Sequence, residues 1–256
     1  MPDAVHLVLY LLLGGVLGAL GGLLGLGGGI IAIPVLGLAF GLDEQHAQGT
    51  ALVMVAPNVL QGLWGYARRG SVDRRVAILL AACAVPFTYL GALYATRIAG
   101  PGLRLGFGAY AAVLAVWFTY DTLRARGDEP PAGPRLAWGW TGVVGALGGV
   151  LSGLFSVGGA LFSVPFLLLV FAYSQKEAQG LSLALVAPGT IVGIVTYALA
   201  GDVDWGIGLP LAIGGSLCVR YGVALAHRLP VRKLRLVFCA FLAAAAIGLL
   251  SRGSCT

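Results

Sequence analysis

The chain has 256 residues, of which 59% are hydrophobic and only 10% are charged, and its mean hydropathy is +0.93. Soluble domains carry about 25% charged residues, so this composition excludes an ordinary soluble protein. The formal net charge of +6 does not indicate nucleic-acid binding, because the basic residues lie between apolar segments, where orientation signals are found. Apolar stretches of about 18 residues or more recur along the chain, which predicts an all-α, polytopic membrane protein in contact with the lipid bilayer.

Ten apolar segments follow one another along the chain, and the second and seventh are short. At 1.5 Å per residue, the ~13 residues of a short segment reach about 20 Å, less than the ~30 Å hydrocarbon core. We therefore expect about eight to ten membrane segments, with the two short ones broken or re-entrant. The segments cover residues 5–25, 29–41, 46–67, 76–96, 103–123, 136–157, 160–173, 178–199, 206–227 and 234–250.

One half of the chain repeats in the other. The passage GLLGLGGGIIAIP at 22–34 lies over GLFSVGGALFSVP at 153–165, at an offset of 131 residues, and the register continues without a gap. Internal duplication in a very apolar chain is typical of transporters whose site lies between the halves. We therefore predict a first transmembrane repeat at 1–126, a linker at 127–135 and a second repeat at 136–256.

Matched loops of the two repeats carry opposite charges. The loop ARRGSVDRR at 67–75 has four arginines, whereas its counterpart AGDVDW at 200–205 has two aspartates and no basic residue. Because cytoplasmic loops are enriched in Lys and Arg, these loops are predicted on opposite sides of the membrane. With loop 67–75 in the cytoplasm, most of the 16 Lys and Arg lie inside and both termini lie outside. The two repeats are thus predicted to be inverted relative to one another.

Each repeat has a glycine cluster followed by a proline. Because proline is tolerated in the first turn of a helix, the helix containing Pro34 is predicted to begin near Ile31, after a stretch of unwound backbone. Such backbone presents free N–H groups beside the positive end of a helix dipole and can bind an anion. The alternative is that these glycines serve close helix packing or act as hinges. The candidate binding positions are Gly25, Gly27, Gly28, Gly29, Ser156, Gly158 and Gly159.

An Ala-Gln-Gly sequence followed by a hydroxyl residue opens segments three and eight. Neutral amides and hydroxyls can hydrogen-bond an oxyanion without a fixed charge that would hold it too tightly, although helix capping or interhelical bonding is an alternative role. Asn58 follows in the first half only. Arg220, an intramembrane charge, either extends to the cytoplasmic surface or pairs with an anion. The candidate positions are Gln48, Gly49, Thr50, Asn58, Gln179, Gly180, Ser182 and Arg220.

The positions of the acidic residues indicate the class of substrate. All 10 Asp and Glu lie at a segment end or in a loop, so the membrane midplane lacks the carboxylates that cation transporters and proton relays usually need. This favours an anionic or neutral substrate. The predicted midplane has no carboxylate pair, and the sequence has no HExxH motif or His–Cys cluster, so no enzyme activity, metal or cofactor is predicted. Tyr66 and Tyr197 occupy matched positions near the ends of segments three and eight and are interpreted as interfacial anchors, with a phenolic hydroxyl that lines a gate as the alternative.

At the element GLGGGIIAIP, the elements AQGT and AQGLS, and the sequence Val-Asp-Trp at 203–205, the chain resembles the sulfite exporter TauE/SafE family. The resemblance covers about residues 8–250. It implies a multi-pass permease of the bacterial inner membrane that carries sulfite, sulfonates such as sulfoacetate, thiosulfate or related anions, commonly outward. The second repeat departs from the first, since SVGGA replaces GLGGG and the hydroxyl is displaced by one residue. The two half-sites are therefore not chemically equal.

We predict a transporter of a small sulfur-containing oxyanion, and specifically an exporter, that works by alternating access. The inside-negative potential contributes about 2.3 kcal/mol per charge per 100 mV to anion exit, so export needs no coupled ion. Uptake would need a co-transported cation, for which the sequence offers no clear site. A permease for another small solute or cation, and a non-transporting scaffold subunit, are the alternatives. Assembly into a homo-oligomer is left open.

Overall fold

The computed structural model describes residues 4–98, 100–124, 137–156 and 158–229, together with 236, 239, 240 and 243. Within these residues every regular element is a helix, and the helices match the predicted segments to within a few residues. The predicted linker at 127–135 and most of the predicted segment at 234–250 lie outside the described residues. The helices are α1 (Ala4–Leu24), α2 (Gly29–Ala39), α3 (Glu44–Arg68), α4 (Arg74–Ala95), α5 (Gly100–Arg124), α6 (Thr141–Phe155), α7 (Gly158–Leu169), α8 (Gln175–Ala200) and α9 (Trp205–Arg228).

Helix lengths confirm a polytopic membrane protein. Five stretches of the described residues are long and apolar enough to cross a membrane, and they contain α1, α4, α6, α8 and α9. By contrast, α2 and α7 have 11 and 12 residues. They therefore span only about 17 Å and about 18 Å, as the sequence predicts.

Two closely packed helix pairs connect the halves, α1 with α9 and α4 with α6. The pairs are counterparts, because α6 matches α1 and α4 matches α9 at the offset of the repeat. Glycines allow both approaches: a Cβ on Gly18 would overlap the backbone of Gly215, and one on Gly149 would overlap that of Ala84. In lipid, small residues that let backbones approach are the usual means of joining helices. Close packing therefore accounts for these glycines.

The residues that meet along these helices give their directions. Helices α1, α3 and α9 run parallel to one another. Along each contacting pair, the residue numbers of the two helices rise together. The contacts are Gly14 with Leu211, Gly22 with Val219, Val53 with Gly208 and Val223 with Gly65.

Helices α4, α6 and α8 run together in the opposite direction. Each matched pair, α1 with α6, α3 with α8 and α4 with α9, is consequently antiparallel, which is the relation expected of inverted repeats. Because α1 and α3 are parallel, α2 must return the chain to the end where α1 begins, and α7 does the same in the second half. The contacts are Gly145 with Leu80, Gly153 with Thr88, Gly189 with Thr88, Gly62 with Leu183 and Gly193 with Leu52.

The two ends of the bundle differ in charge. One end, here the acidic end, contains the starts of α3 and α9, and Asp43 and Asp204 cap these helices by accepting backbone N–H hydrogen bonds. The other, the basic end, contains the end of α3, the starts of α4 and α8 and the end of α9. Its basic residues are Arg68, Arg69, Arg74, Arg75, Lys176 and Arg228.

Candidate functional site

The break between α1 and α2 is a non-helical turn over residues 25–28, as the sequence predicts. Gly25 and Gly28 have φ angles of 70° and 92°, in the left-handed region that favours glycine. A Cβ on Gly25 would also lie 2.7 Å from the Cβ of Gln179, so the turn packs directly against the other half of the chain. The first break is therefore part of an interface between the repeats.

The break between α6 and α7 is shorter than predicted. Ser156, which matches Gly25, ends α6 in the left-handed conformation with a φ of 58°. Because α7 begins at Gly158, the prediction that Gly158 and Gly159 are unwound is wrong. A Cβ on Gly159 would overlap the carbonyl of Gly148, so this glycine serves helix packing.

The start of α2 also differs from its prediction. This helix begins at Gly29, two residues before the expected Ile31, so Pro34 lies beyond its first turn and Gly29 is helical rather than unwound. A proline inside a membrane helix is tolerated because neighbouring groups can satisfy the backbone carbonyl that it leaves without its usual donor. The rule that confines proline to the first turn of a helix is therefore too strict here.

One half-site surrounds Gln179 of α8. The Oη atom of Tyr66 lies 3.0 Å from Gln179 Oε1 and 3.3 Å from the carbonyl oxygen of Gly22, so its single hydrogen can reach either acceptor. Ser182 Oγ lies 3.1 Å from the carbonyl oxygen of Gly25. We call this group, formed by Gln179, Tyr66, Ser182, Gly22 and Gly25, the Gln179 half-site.

A matched half-site surrounds Gln48 of α3. Tyr197 donates to Gln48 Oε1 at 2.8 Å, and Ser156 donates to the same oxygen at 3.4 Å. The Nε2 atom of Gln48 donates to Glu44 Oε1 at 3.1 Å. We call Gln48, Tyr197, Ser156 and Glu44 the Gln48 half-site. It reproduces the tyrosine–glutamine bond of the other half and adds a carboxylate.

The two glutamines differ in how their amide hydrogens are used. Gln48 Nε2 is bonded to Glu44, whereas Gln179 Nε2 is buried with no hydrogen-bond partner among the described residues. Both glutamines are 0% exposed, so both half-sites are closed to solvent in this conformation. Because leaving a buried donor unbonded costs about 1–3 kcal/mol, an acceptor that binds Gln179 Nε2 would recover that free energy.

Other predicted candidates have structural contacts. Thr50 accepts a hydrogen bond from the backbone N–H of Asp204 at 2.9 Å, which ties α3 to the start of α9. A Cβ on Gly49 would overlap the carbonyl of Asp202, and one on Gly180 would lie 2.6 Å from the carbonyl oxygen of Ser71. These three residues therefore hold the loops that precede α9 and α4.

Asn58 lies at the first break, but Arg220 does not. Asn58 Nδ2 is 3.4 Å from the carbonyl oxygen of Gly27, and Asn58 Oδ1 is buried with no partner in the described structure. Arg220 is exposed on α9, and it donates to Tyr221 Oη at 3.0 Å with its guanidinium over the tyrosine ring. The structure thus brings Asn58 towards the candidate site and leaves Arg220 on the outer surface of the bundle.

The sequence interpretation missed three site residues. Tyr66 and Tyr197 are 0% exposed and bind the opposite glutamine, so their assignment as interfacial anchors is wrong. Their matched positions in the repeat were the available signal. Glu44 is only 4% exposed, although it is the first residue of α3, and its position at a helix end gave no sign of burial.

The structure also has a surface cavity of about 490 Å³ between α4 and α8. Its walls are largely apolar, with Tyr89, Ile191 and Leu199 among them, and Arg97 lies at its rim. None of the residues of the two half-sites lines this cavity.

At the acidic end, burial raises the pKa of Asp202 and the nearby His46 opposes that rise.

Comparison with known proteins adds independent findings. The family model described as Sulfite exporter TauE/SafE matches residues 10–249. The chain is 32% identical to a "Probable membrane transporter protein" of Xylella fastidiosa over 86% of this chain and 85% of the relative. It is 23% identical to the "Probable membrane transporter protein YunE" of Bacillus subtilis, over 90% and 92% of the two chains. No solved structure gave a significant match.

Proposed function

Since the chain belongs to the Sulfite exporter TauE/SafE family of membrane transporters, we propose that it carries a small sulfur-containing oxyanion, such as sulfite or an organosulfonate, out of the bacterial cytoplasm across the inner membrane. The observation that carries this proposal is Gln179 Nε2, a buried amide donor with no partner among the described residues, beside the break at Gly25. An oxyanion supplies the acceptor that this donor lacks. We therefore take the two half-sites as the substrate contacts.

The chemistry of the half-sites suits reversible binding of an anion. Gln48, Gln179, Ser156 and Ser182 are neutral, so each offers a dipole rather than a permanent positive charge. Conduction or transport requires binding that is favourable enough to admit the ion but weak enough to release it. Neutral donors in a buried site meet that requirement better than an arginine would, which is consistent with the exposed position of Arg220.

Alternating access follows from the inverted arrangement. The half-sites are closed to solvent here, and they lie at contacts between α3 of one repeat and α8 of the other. If one repeat moves against the other, the same interface can open towards either end of the bundle. We place the basic end in the cytoplasm, because loops rich in Lys and Arg remain there. The inside-negative potential then favours anion exit by about 2.3 kcal/mol per charge per 100 mV.

The test is flux in proteoliposomes that contain the purified protein. Sulfite, sulfoacetate, thiosulfate and sulfate would be loaded inside, and their efflux would be followed while a potassium gradient sets the membrane potential. We expect efflux of at least one sulfur oxyanion. The efflux should be faster when the interior of the proteoliposome is negative. Flux of a cation or a neutral solute alone would instead support a different permease. Absence of flux together with absence of solute-dependent stabilisation would support a scaffold subunit.

A further inference from the structure

The first turn of α3 contains a buried carboxylate that the transport scheme above does not use. Glu44 is 4% exposed and accepts a hydrogen bond from Gln48 Nε2 at 3.1 Å. The matched residue in the second repeat is Gln175, which is 2% exposed, and neither polar atom of its side chain has a partner in the described part of the chain. The side-chain amide of Gln48 thus donates to a carboxylate, whereas that of Gln179 has no acceptor among the described residues.

We propose that Glu44 competes with the transported anion for Gln48, so that an anion binds this half-site by displacing Glu44 and binds more tightly when Glu44 is protonated. The inference rests on the proposed function, because it takes the half-sites to be the anion contacts. Glu44 then sets the anion affinity of the Gln48 half-site. The Gln179 half-site has no such competitor, because Gln175 stands at the matched position.

The physical basis is repulsion between like charges in a buried site. An anion beside an ionised carboxylate disfavours the charged form of that carboxylate, which takes up a proton more readily. By linkage, a proton on Glu44 must strengthen anion binding by the same factor. Protonation also removes the charge that strengthens the bond from Gln48 Nε2, since hydrogen bonds to ionised acceptors are about twice as strong as neutral ones.

Several titratable or charged groups among the described residues lie near Glu44. Tyr197 of α8 lies within electrostatic reach of both Glu44 and Asp202, which precedes α9. On α3 itself, Asp43 is exposed and His46 is half-buried, and the two side chains are 2.9 Å apart. Gln45 donates to the carbonyl of Ile98, which brings the connection from α4 to α5, with the exposed Arg97, beside the same turn.

We expect protons to reach Glu44 from the acidic end of the bundle. Glu44 is 4% exposed, and the residue before it, Asp43, is exposed at that end. At neutral pH the ionised Glu44 would weaken anion binding at that end and favour release there. Acidification of the solution at that end would raise the affinity. The basic end, with Gln175 and the neighbouring Lys176, would lack this response.

The test compares two orientations of the same membrane. Uptake of radiolabelled thiosulfate would be measured in right-side-out and inside-out vesicles, with the external solution at about pH 5.5 or about pH 8. The comparison tests whether a bound anion, which disfavours the charged form of a neighbouring carboxyl, is held more tightly in acid. For the native chain in right-side-out vesicles, we expect the half-saturating concentration to fall about tenfold on acidification, the factor that one unit of pKa coupling produces. In inside-out vesicles we expect little change.

Three variants make the test specific. Glu44→Gln, which copies the residue found at 175, should bind tightly at both pH values in right-side-out vesicles. Gln175→Glu should weaken binding about tenfold in inside-out vesicles at about pH 8 and create a pH response there. Glu177→Gln changes a carboxylate at the basic end that caps α8, and it should behave as the native chain does.

The outcomes separate this inference from the function on which it rests. A pH response that persists in Glu44→Gln, or a native chain that transports thiosulfate without a pH response, overturns the role of Glu44 and leaves the transporter proposal intact. Absence of thiosulfate, sulfite and sulfoacetate flux at either pH overturns the proposed function itself. If Glu44→Gln fails to insert, the gain of a pH response in Gln175→Glu still decides the matter.

Discussion

The hydroxyl of Tyr197 lies 2.8 Å from Oε1 of Gln48, and the two residues belong to opposite repeats. Its counterpart joins Tyr66 to Gln179 at 3.0 Å. Because α3 and α8 are antiparallel, the tyrosine near the end of each helix reaches the glutamine near the start of the other. The tyrosine hydroxyl donates to Oε1 of the glutamine and so fixes the orientation of the side-chain amide. Nε2 of the same amide then points away from the tyrosine and can donate to another partner.

The first prediction concerns the tyrosine that orients Gln179. Tyr66→Phe removes the donor to Gln179 Oε1 and leaves that buried oxygen unbonded, which costs about 1–3 kcal/mol. We expect the free energy of unfolding to fall by about that amount and anion flux to fall about tenfold or more, because the amide can then rotate. Thermal unfolding in detergent and proteoliposome flux would measure the two effects.

Tyr94→Phe is the matched control, since Tyr94 is 64% exposed on α4. It should change neither quantity. Native flux in a stably inserted Tyr66→Phe protein would show that the orientation of Gln179 is unimportant for transport.

Most of what could be predicted about the fold and the site came from the alignment of the two repeats. Gln48 and Gln179 were identified because the offset aligned them, and the directions of the helices agree with the charge asymmetry of the matched loops. The breaks were located correctly, but their lengths were not. A single left-handed residue at Ser156 ends α6, and no sequence rule distinguished that arrangement from a longer unwound stretch.

Residues whose role depends on contacts between the repeats could not be predicted. Tyr66 and Tyr197 lie near helix ends, where tyrosine usually contacts the membrane interface. Contacts with other helices bury them, among them the bonds to Gln179 on α8 and to Gln48 on α3. Glu44 was missed for the same reason, because a carboxylate at a helix start is usually exposed and its burial depends on the residues that pack around it.

The second prediction removes the amide donor of Gln179, which has no partner in the part of the chain that the structure describes. Gln179→Ala deletes Nε2, and the Tyr66 hydroxyl can still donate to the carbonyl of Gly22 at 3.3 Å. We therefore expect flux to fall about tenfold or more while the free energy of unfolding changes by only about 1 kcal/mol, the usual net contribution of one hydrogen bond. The measurement is efflux of a sulfur oxyanion beside a thermal unfolding curve of the same preparation.

Gln61→Ala provides the comparison, because Gln61 is an exposed amide on α3. It should transport like the native chain. If Gln179→Ala transports equally well, the Gln179 half-site does not bind the substrate.

The third prediction concerns the packing between α1 and α9. A Cβ on Gly18 overlaps the backbone of Gly215, and because both atoms belong to helix backbones the clash cannot be relieved by rotating a side chain. Gly18→Ala should therefore lower the free energy of unfolding by about 1–3 kcal/mol, as overpacking usually does. Thermal unfolding in detergent would measure the loss.

Gly139→Ala is the control, since no atom of the described residues lies within 4 Å of a Cβ at that position. It should be neutral. Equal stability of the two variants would mean that α1 and α9 do not approach as closely as described.

The last prediction tests the orientation of the repeats in the membrane. Asp73 caps α4 at the basic end, and Asp204, its match at the offset of the repeat, caps α9 at the acidic end. A reporter inserted after Asp73 should lie in the cytoplasm, because Arg68, Arg69 and Arg74 flank that loop and such loops are retained inside. A reporter after Asp204 should lie outside. Paired fusions to an enzyme active only in the periplasm and a fluorophore that matures only in the cytoplasm would measure both positions. If the two loops face the same side, the repeats are not inverted across the bilayer, and neither alternating access nor the sidedness assigned to Glu44 can hold.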